Sequence, residues 1–184
     1  TWSAAPWSLQ PGASSPNIAV DANDKYHVSY AFGGMIYYTS STNGGLTWAS
    51  PTAISAKPRY QNKGALISVD RQLRVHVMYF DGNPDDDAMP CEAVHVRSVD
   101  NGLTWASPAM LSLDDGKHSA WPRADFTGVV GDRLAIVWRD QRDSTWDIYG
   151  AFSEDGGATW TERLVKGGAG DQWDPMALVD KNGM

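Results

Sequence analysis

Cysteine is nearly missing from this chain: Cys91 stands alone among 184 residues, so no disulfide forms within it and cysteine usage says nothing of its compartment. Basic charge is also short. Fifteen Lys and Arg face 22 Asp and Glu for a net charge of −7, with no basic stripe, which argues against nucleic acid as a partner. No apolar run is long enough to cross a membrane as a helix. No long stretch carries helical periodicity either. What remains is a chain with 42% hydrophobic residues, long enough to bury a real core, in which nine tryptophans are set among 18 glycines and 10 prolines.

Nearly the same eight residues are written three times: Ser41-Thr-Asn-Gly-Gly-Leu-Thr-Trp48, Ser98-Val-Asp-Asn-Gly-Leu-Thr-Trp105 and Ser153-Glu-Asp-Gly-Gly-Ala-Thr-Trp160. Their first serines, Ser41, Ser98 and Ser153, stand 57 and 55 residues apart, a period that marks repeated supersecondary units. Asn43, Asp100 and Asp155 carry short side chains that accept hydrogen bonds from nearby backbone N–H groups and so lock a turn. Gly45, Gly102 and Gly157 supply a backbone conformation that a side chain disfavours. Thr47, Thr104 and Thr159 lead back into extended chain, and Trp48, Trp105 and Trp160 offer large surfaces to bury between sheets. A turn lock accounts for the three acids better than catalysis or metal binding, because every copy would need the same chemistry.

Around each turn the same order of segments recurs. The first copy runs through Pro16–Asp21, Tyr26–Tyr30, Ile36–Thr39 and Ala49–Ile54; the second through Ala65–Asp70, Val75–Tyr79, Ala93–Arg97 and Ala106–Leu111. The third runs through Pro122–Phe126, Leu134–Trp138, Ile148–Phe152 and Thr161–Val165. Each copy is four short β-rich runs bounded by Gly, Asp, Asn and Pro, hence four antiparallel strands. The pattern Ser-x-Asp/Asn-x-Gly-x-Thr-Trp resembles the Asp box of the BNR, or sialidase-like, β-propellers. The resemblance implies an all-β propeller of four-stranded antiparallel blades: blade 1 at 16–55, blade 2 at 63–112 and blade 3 at 121–166. Residues 1–10 match the tail of a box and predict the last strand of a preceding blade, while 173–184 predict the first strand of a further one. The leader of a secreted protein is not visible, as expected of a chain that begins inside a blade; the resemblance implies an exported or surface protein. Propellers of this family are usually six-bladed, so a homodimer of half-rings is one way to close the ring.

In that family the boxes sit on the face opposite the active site. The opposite rim is then built from the loops entering each blade and those joining its second and third strands. They contain Arg59, Tyr60, His118, Trp121, Arg123 and Trp173, and Asp81, Cys91, Glu92, Arg139, Asp140, Arg142 and Trp146. Sialidases of this fold use an arginine trio for the substrate carboxylate, an aspartate acid/base and a tyrosine nucleophile helped by a glutamate. An arginine fork suits a carboxylate because it gives two parallel hydrogen bonds. The resemblance therefore points to Arg59, Arg123, Arg139 and Arg142 for the carboxylate, Asp140 for the acid and Tyr60 for the nucleophile. The chain departs from the family set: Arg-Ile-Pro is absent, Pro122-Arg123 has the reverse order, and no Tyr/Glu pair matches.

Asp85, Asp86 and Asp87 offer hard oxygen ligands to a cation but lack the alternation of an EF-hand loop, so the sequence predicts a solvated acidic loop and no metal. No motif asks for a cofactor. His27, His76 and His95 fall at strand positions and predict packed side chains; His118 is the histidine placed on the rim. Asp81 and Asp140 recur at equivalent places, which favours a turn role. Three functions follow. The first is glycan binding by Trp121, Trp146 and Trp173 with Asp140 and Arg142 holding hydroxyls. The second is a segment, or self-assembling half, of an exo-sialidase-like glycoside hydrolase. The third is a structural repeat without a ligand.

Overall fold

β-Branched and aromatic residues alternate along short runs and hold them extended, and Gly, Asn and Asp turn them back. The computed structural model describes residues 10–56, 62–83, 86–123 and 131–177, without the side chains of Trp121 and Arg123. Its described residues form strands and no helix. The first sheet holds β1 (Ser14–Val20), β2 (Tyr26–Phe32), β3 (Met35–Ser41) and β4 (Thr52–Ala53). The second holds β5 (Asn62–Val69), β6 (Val75–Asp81), β7 (Glu92–Ser98) and β8 (Ala109–Met110). The third holds β9 (Ser119–Arg123), β10 (Leu134–Asp140), β11 (Asp147–Ser153) and β12 (Thr161–Lys166). Each is an antiparallel meander in chain order. The flanking strands predicted at 1–10 and 173–184 fall largely outside the described residues; Gln10 and Trp173–Ala177, which are described, are not in strand.

The first strand of every sheet lies at an edge and breaks register once: around Pro16 in β1, around Gly64 in β5, and beside Pro122 in β9. Proline has no N–H to donate, so an edge strand at a bulge is where it fits. Gly64 has φ +69°, and a Cβ there would overlap the ring of Phe80.

The middle strands are buried on both faces. Between the first and second sheets lie Ile36, Tyr38, Val75, Val77, Tyr79 and Val96; between the second and third lie Met78, Ala93, Leu134, Ile136 and Trp138. Val75, Val77 and Met78 are 0% exposed, each worth about 1.5–3 kcal/mol of burial.

Two buried polar relays run through these seams. His27 bridges Asp21 (Nε2 to Oδ2, 3.2 Å) and the Tyr38 hydroxyl (Nδ1 to Oη, 2.8 Å). His76 bridges Asp70 (3.4 Å) and His95 (Nδ1 to Nε2, 3.1 Å). All three histidines are buried strand residues. Burial holds His76 and His95 below the ordinary imidazole value. Against Tyr38 stands Trp105, and against His95 stands Trp160, each edge-on at 4.9 Å between centroids.

The three eight-residue turns share one hydrogen-bond cage. Ser98 Oγ donates to Asp100 Oδ1 (2.7 Å) and accepts from Gly102 N (2.8 Å), and Thr104 N donates to Asp100 Oδ1 (2.8 Å). Ser153, Asp155, Gly157 and Thr159 repeat it at 2.8 Å for all three contacts, and Ser41, Asn43, Gly45 and Thr47 at 2.9 Å. Hydrogen bonds from the Thr104 hydroxyl, the Thr104 N–H and Ser98 hold the Asp100 carboxyl at about 2, and those from the Thr159 N–H, its hydroxyl and Ser153 move Asp155 further in the same direction. The turns join third to fourth strands, so they share one end of the sheets with the β1–β2 and β5–β6 turns. The other end is left to the loops that carry the rim residues.

Candidate functional site

At that other end, the second and third sheets bring several rim residues together. Arg139, near the end of β10, lies between two indoles: its Cζ is 4.5 Å from the ring centre of Trp146 and 4.4 Å from that of Trp173. Cation–π contact of this kind holds both rings in place. The Asp171 carboxylate accepts from Trp146 N (3.0 Å), and Gln172 N donates to Trp146 O, so the loop before Trp173 is tied to the loop before β11. Trp146 packs further against Phe80, Cys91 and Ala120, whereas Trp173 is 57% exposed. The result is a fixed aromatic surface with one indole open to solvent.

Beside it lies a hollow of about 360 Å³ lined by Asp87, Gly116, Lys117, His118, Gln141 and Ser144. Its wall meets the aromatic group at His118, whose ring is tilted against Trp146 at 6.2 Å. His118 is pinned: Gln141 N donates to its carbonyl (2.9 Å), Cys91 Sγ lies 3.4 Å from its Nδ1, and Asp87 Oδ1 lies 3.3 Å from its Nε2. Asp87 is fully exposed at the mouth. Asp86 caps its own loop by accepting from Ala88 N (3.0 Å). Asp85 lies outside the described residues. Among the described residues no three His, Cys, Asp or Glu side chains are grouped to share a metal ion.

Asp140 and Arg142, read from the sequence as acid or hydroxyl binders and, for Asp140, also as a turn residue, are hydrogen-bonded to each other. Asp140 accepts from Ser119 Oγ (2.8 Å), Trp138 Nε1 (3.1 Å) and Arg142 N, Nε and Nη2 (3.0, 2.8 and 2.7 Å). Burial alone would raise its carboxyl, but the bonds from Arg142, Trp138 and Ser119 outweigh this and hold it below the usual range. An acid that protonates a leaving group at neutral pH needs the opposite shift. Asp140 is thus tied into its loop by hydrogen bonds from Ser119, Trp138 and Arg142. Arg142 is consumed with it: the guanidinium also pairs with Glu162 and covers the Tyr149 ring at 3.8 Å, and its bond to Asp140 raises its pKa. Arg139 and Arg142 thus turn to different partners and do not form one carboxylate clamp. Arg59 and Tyr60 lie outside the described residues, and so do the side chains of Trp121 and Arg123.

The sequence placed Glu92 on the rim but gave it no role. It opens β7, pairs across from Asp81, and is 0% exposed, with Ser112 Oγ donating to Oε2 at 2.7 Å. Desolvation, against the hydrogen bonds from Ser112 and Ser119, raises its carboxyl to about 7. A signal existed: Asp140 pairs with Asp147 in the third sheet just as Asp81 pairs with Glu92 in the second, so an acid recurs at this register. Cys91 and its contact with His118 left no trace in the pattern, because they meet only through the packing of β7 against β9.

No protein-family model and no curated protein matches the chain. Solved structures do. A Hadza microbial sialidase, Hz136, superposes with a TM-score of 0.59 at 18% identity over 80% of this chain and 36% of its own. An α-L-arabinanase of Penicillium chrysogenum complexed with arabinobiose gives 0.57 at 16% identity, over 86% and 50%. A protein of unknown function from Dyadobacter fermentans gives 0.64 at 16% identity, over 94% and 56%. These likenesses show a sialidase-like, glycoside-hydrolase-like β fold. The chain spans between about a third and just over a half of the length of these three neighbours.

Proposed function

We propose that this chain is the glycan-associating part of a sialidase-like β-propeller protein, binding carbohydrate on the rim of its second and third blades. One observation carries the reading: Arg139 is clamped between Trp146 and Trp173, which presents the Trp173 indole, 57% exposed, on a rigid base beside a polar hollow. A flat exposed ring accepts the C–H face of a sugar, and a few convergent polar groups then orient its hydroxyls. Lys117, Gln141, Ser144 and Asp87 are the groups available for that, in place of Asp140 and Arg142, whose polar atoms are already engaged. The neighbouring sialidase and arabinanase make carbohydrate the natural ligand class for the rim. The three turn cages serve as structural Asp boxes in this reading, and association of two copies belongs to it as well.

Two of the described acids speak against the hydrolase alternative: Asp140 is held ionised, and Glu92, raised to about 7, is sealed from solvent. The test is titration of the chain with neutral and acidic oligosaccharides, followed by NMR or tryptophan fluorescence. Saturable binding that Trp173→Ala abolishes supports the proposal; no binding of any glycan at millimolar concentration ends it.

A further inference from the structure

One wall of the polar hollow on the rim carries a histidine whose ring proton is placed by the backbone behind it. His118 is 4% exposed, and the Cys91 N–H donates to its Nδ1 at 3.4 Å. A nitrogen that accepts a hydrogen bond carries no proton, so the ring's N–H is at Nε2. The Cys91 thiol, also 3.4 Å from Nδ1, can donate from the same side. The meeting of the chain entering β7 with the chain entering β9 thus fixes the tautomer. It leaves Nε2–H on the side of Asp87, which lines the hollow together with His118.

Among the described residues His118 Nε2 makes no hydrogen bond. Asp87 Oδ1 lies 3.3 Å from it but off the line of the N–H bond, close enough to share a ligand with it and not aligned to accept from it. A buried N–H without an acceptor is costly, and the atom that relieves it is an acceptor seated in the hollow. Asp87 restricts what that atom can be. A carboxylate would accept from Nε2–H but would set its charge against the Asp87 carboxylate. Asp114 and Asp115, both exposed and directly before Gly116 in the chain, add negative charge to the same wall, with Lys117 opposing them. A hydroxyl serves both groups: its oxygen accepts from Nε2–H and its proton goes to Asp87 Oδ1. The facing wall is held in place for it. Gln141 N donates to His118 O (2.9 Å) and Ser144 N to Gln141 O (3.2 Å), so the two walls are tied together.

We infer that His118 and Asp87 are a hydroxyl-reading pair, and that the hollow takes a neutral sugar in preference to an acidic one. The inference rests on glycan binding at the rim and narrows it to a ligand class. The exposed indole of Trp173 supplies contact area that any sugar ring can use, whereas the pair distinguishes a hydroxyl from a carboxylate. This preference is the reverse of the one an arginine clamp would impose.

Long-range proton–nitrogen NMR of the imidazoles, four in the chain, tests the tautomer. The His118 signals, assigned by their loss in His118→Gln, should show the proton on Nε2; a proton on Nδ1 overturns the inference whatever binds. Titration with lactose, cellobiose and arabinobiose as neutral probes, and with sialyllactose and digalacturonate as acidic ones, tests the ligand class. A neutral probe should bind more tightly than either acidic one and should shift the His118 Nε2 resonance. Asp87→Asn, at a fully exposed position, should weaken that probe at least about tenfold, as loss of a hydrogen bond to a charged group does, and should narrow its advantage over the acidic probes. His118→Phe should weaken it likewise, and His118→Gln, which keeps an N–H at the end of the side chain, should bind better than His118→Phe. Asp87→Asn carries the test should His118→Phe fail to fold. Tighter binding of an acidic probe overturns the inference and leaves glycan binding at the rim standing, and so does neutral binding that Asp87→Asn does not weaken. No binding of any probe at millimolar concentration removes the rim reading, and this pair with it.

Discussion

Trp160 stands edge-on to His95, 4.9 Å between ring centroids, and the far side of that imidazole meets His76 at 3.1 Å. Two neutral imidazoles share one hydrogen bond; a proton added to either brings a charge into a buried site, and charging both sets N–H against N–H. Asp70 faces His76, and Arg74 and Arg97 add positive charge nearby. The seam is thus built for neutral histidine.

Acid sensitivity follows. Both imidazoles titrate lower folded than unfolded, so their stabilising effect is present above the unfolded value near 6.5 and is lost as pH falls below it. His95→Tyr, which copies Tyr38 of the first sheet, should flatten this loss. Urea midpoints measured at neutral and mildly acidic pH decide it: an unchanged pH slope in the variant contradicts the assignment.

Glu92 predicts the opposite slope. Its carboxyl is raised to about 7, so folding takes up close to one proton between the unfolded value and 7, and stability falls as pH rises through that window. The loss is at most about 1.4 kcal/mol per pH unit for a single proton. Glu92→Gln should remove this component while keeping the bond from Ser112. Denaturation curves of the double variant with His95→Tyr would show whether the two slopes had been cancelling.

Two glycines in the repeated turns should respond very differently to alanine. Gly102 has φ +86°, and a Cβ there would overlap the Tyr38 hydroxyl across the seam; Gly44 has φ +68° with nothing within 4 Å. Gly102→Ala should cost roughly 2–4 kcal/mol from backbone strain plus overpacking, and Gly44→Ala about 1 kcal/mol from strain alone. Equal costs in thermal or urea unfolding would mean the turn does not press on Tyr38.

The rim separates binding from stability at one residue. Trp146 packs into the body of the protein, so its removal confounds the two; Trp173 is 57% exposed. Trp173→Ala should abolish glycan-induced fluorescence or chemical-shift changes and leave the melting temperature within a degree or two. Retained binding would place the ligand elsewhere.

The strand runs were legible because extended chain announces itself locally: β-branched residues, Gly and Asn turns, and an edge-strand proline each state their conformation without reference to the rest of the fold. The repeated Ser, Asp and Gly were legible for the same reason, since each hydrogen bond in the cage at Asp100 or Asp155 spans at most four residues. The rim was legible only as a list of polar and aromatic residues. Arg139, Asp140 and Arg142 lie within four residues of one another, yet Arg139 goes to two indoles while Asp140 and Arg142 close on each other.

By itself, the sequence determined the β class, the three repeats and the residues that lock their turns, all through interactions between near neighbours in the chain. Tertiary structure alone decided which rim groups remain available, because availability depends on partners far away in sequence. Asp171 fixes Trp146, His118 meets Cys91, and Glu92 is buried beside Ser112, each through the stacking of one sheet's loops on the next.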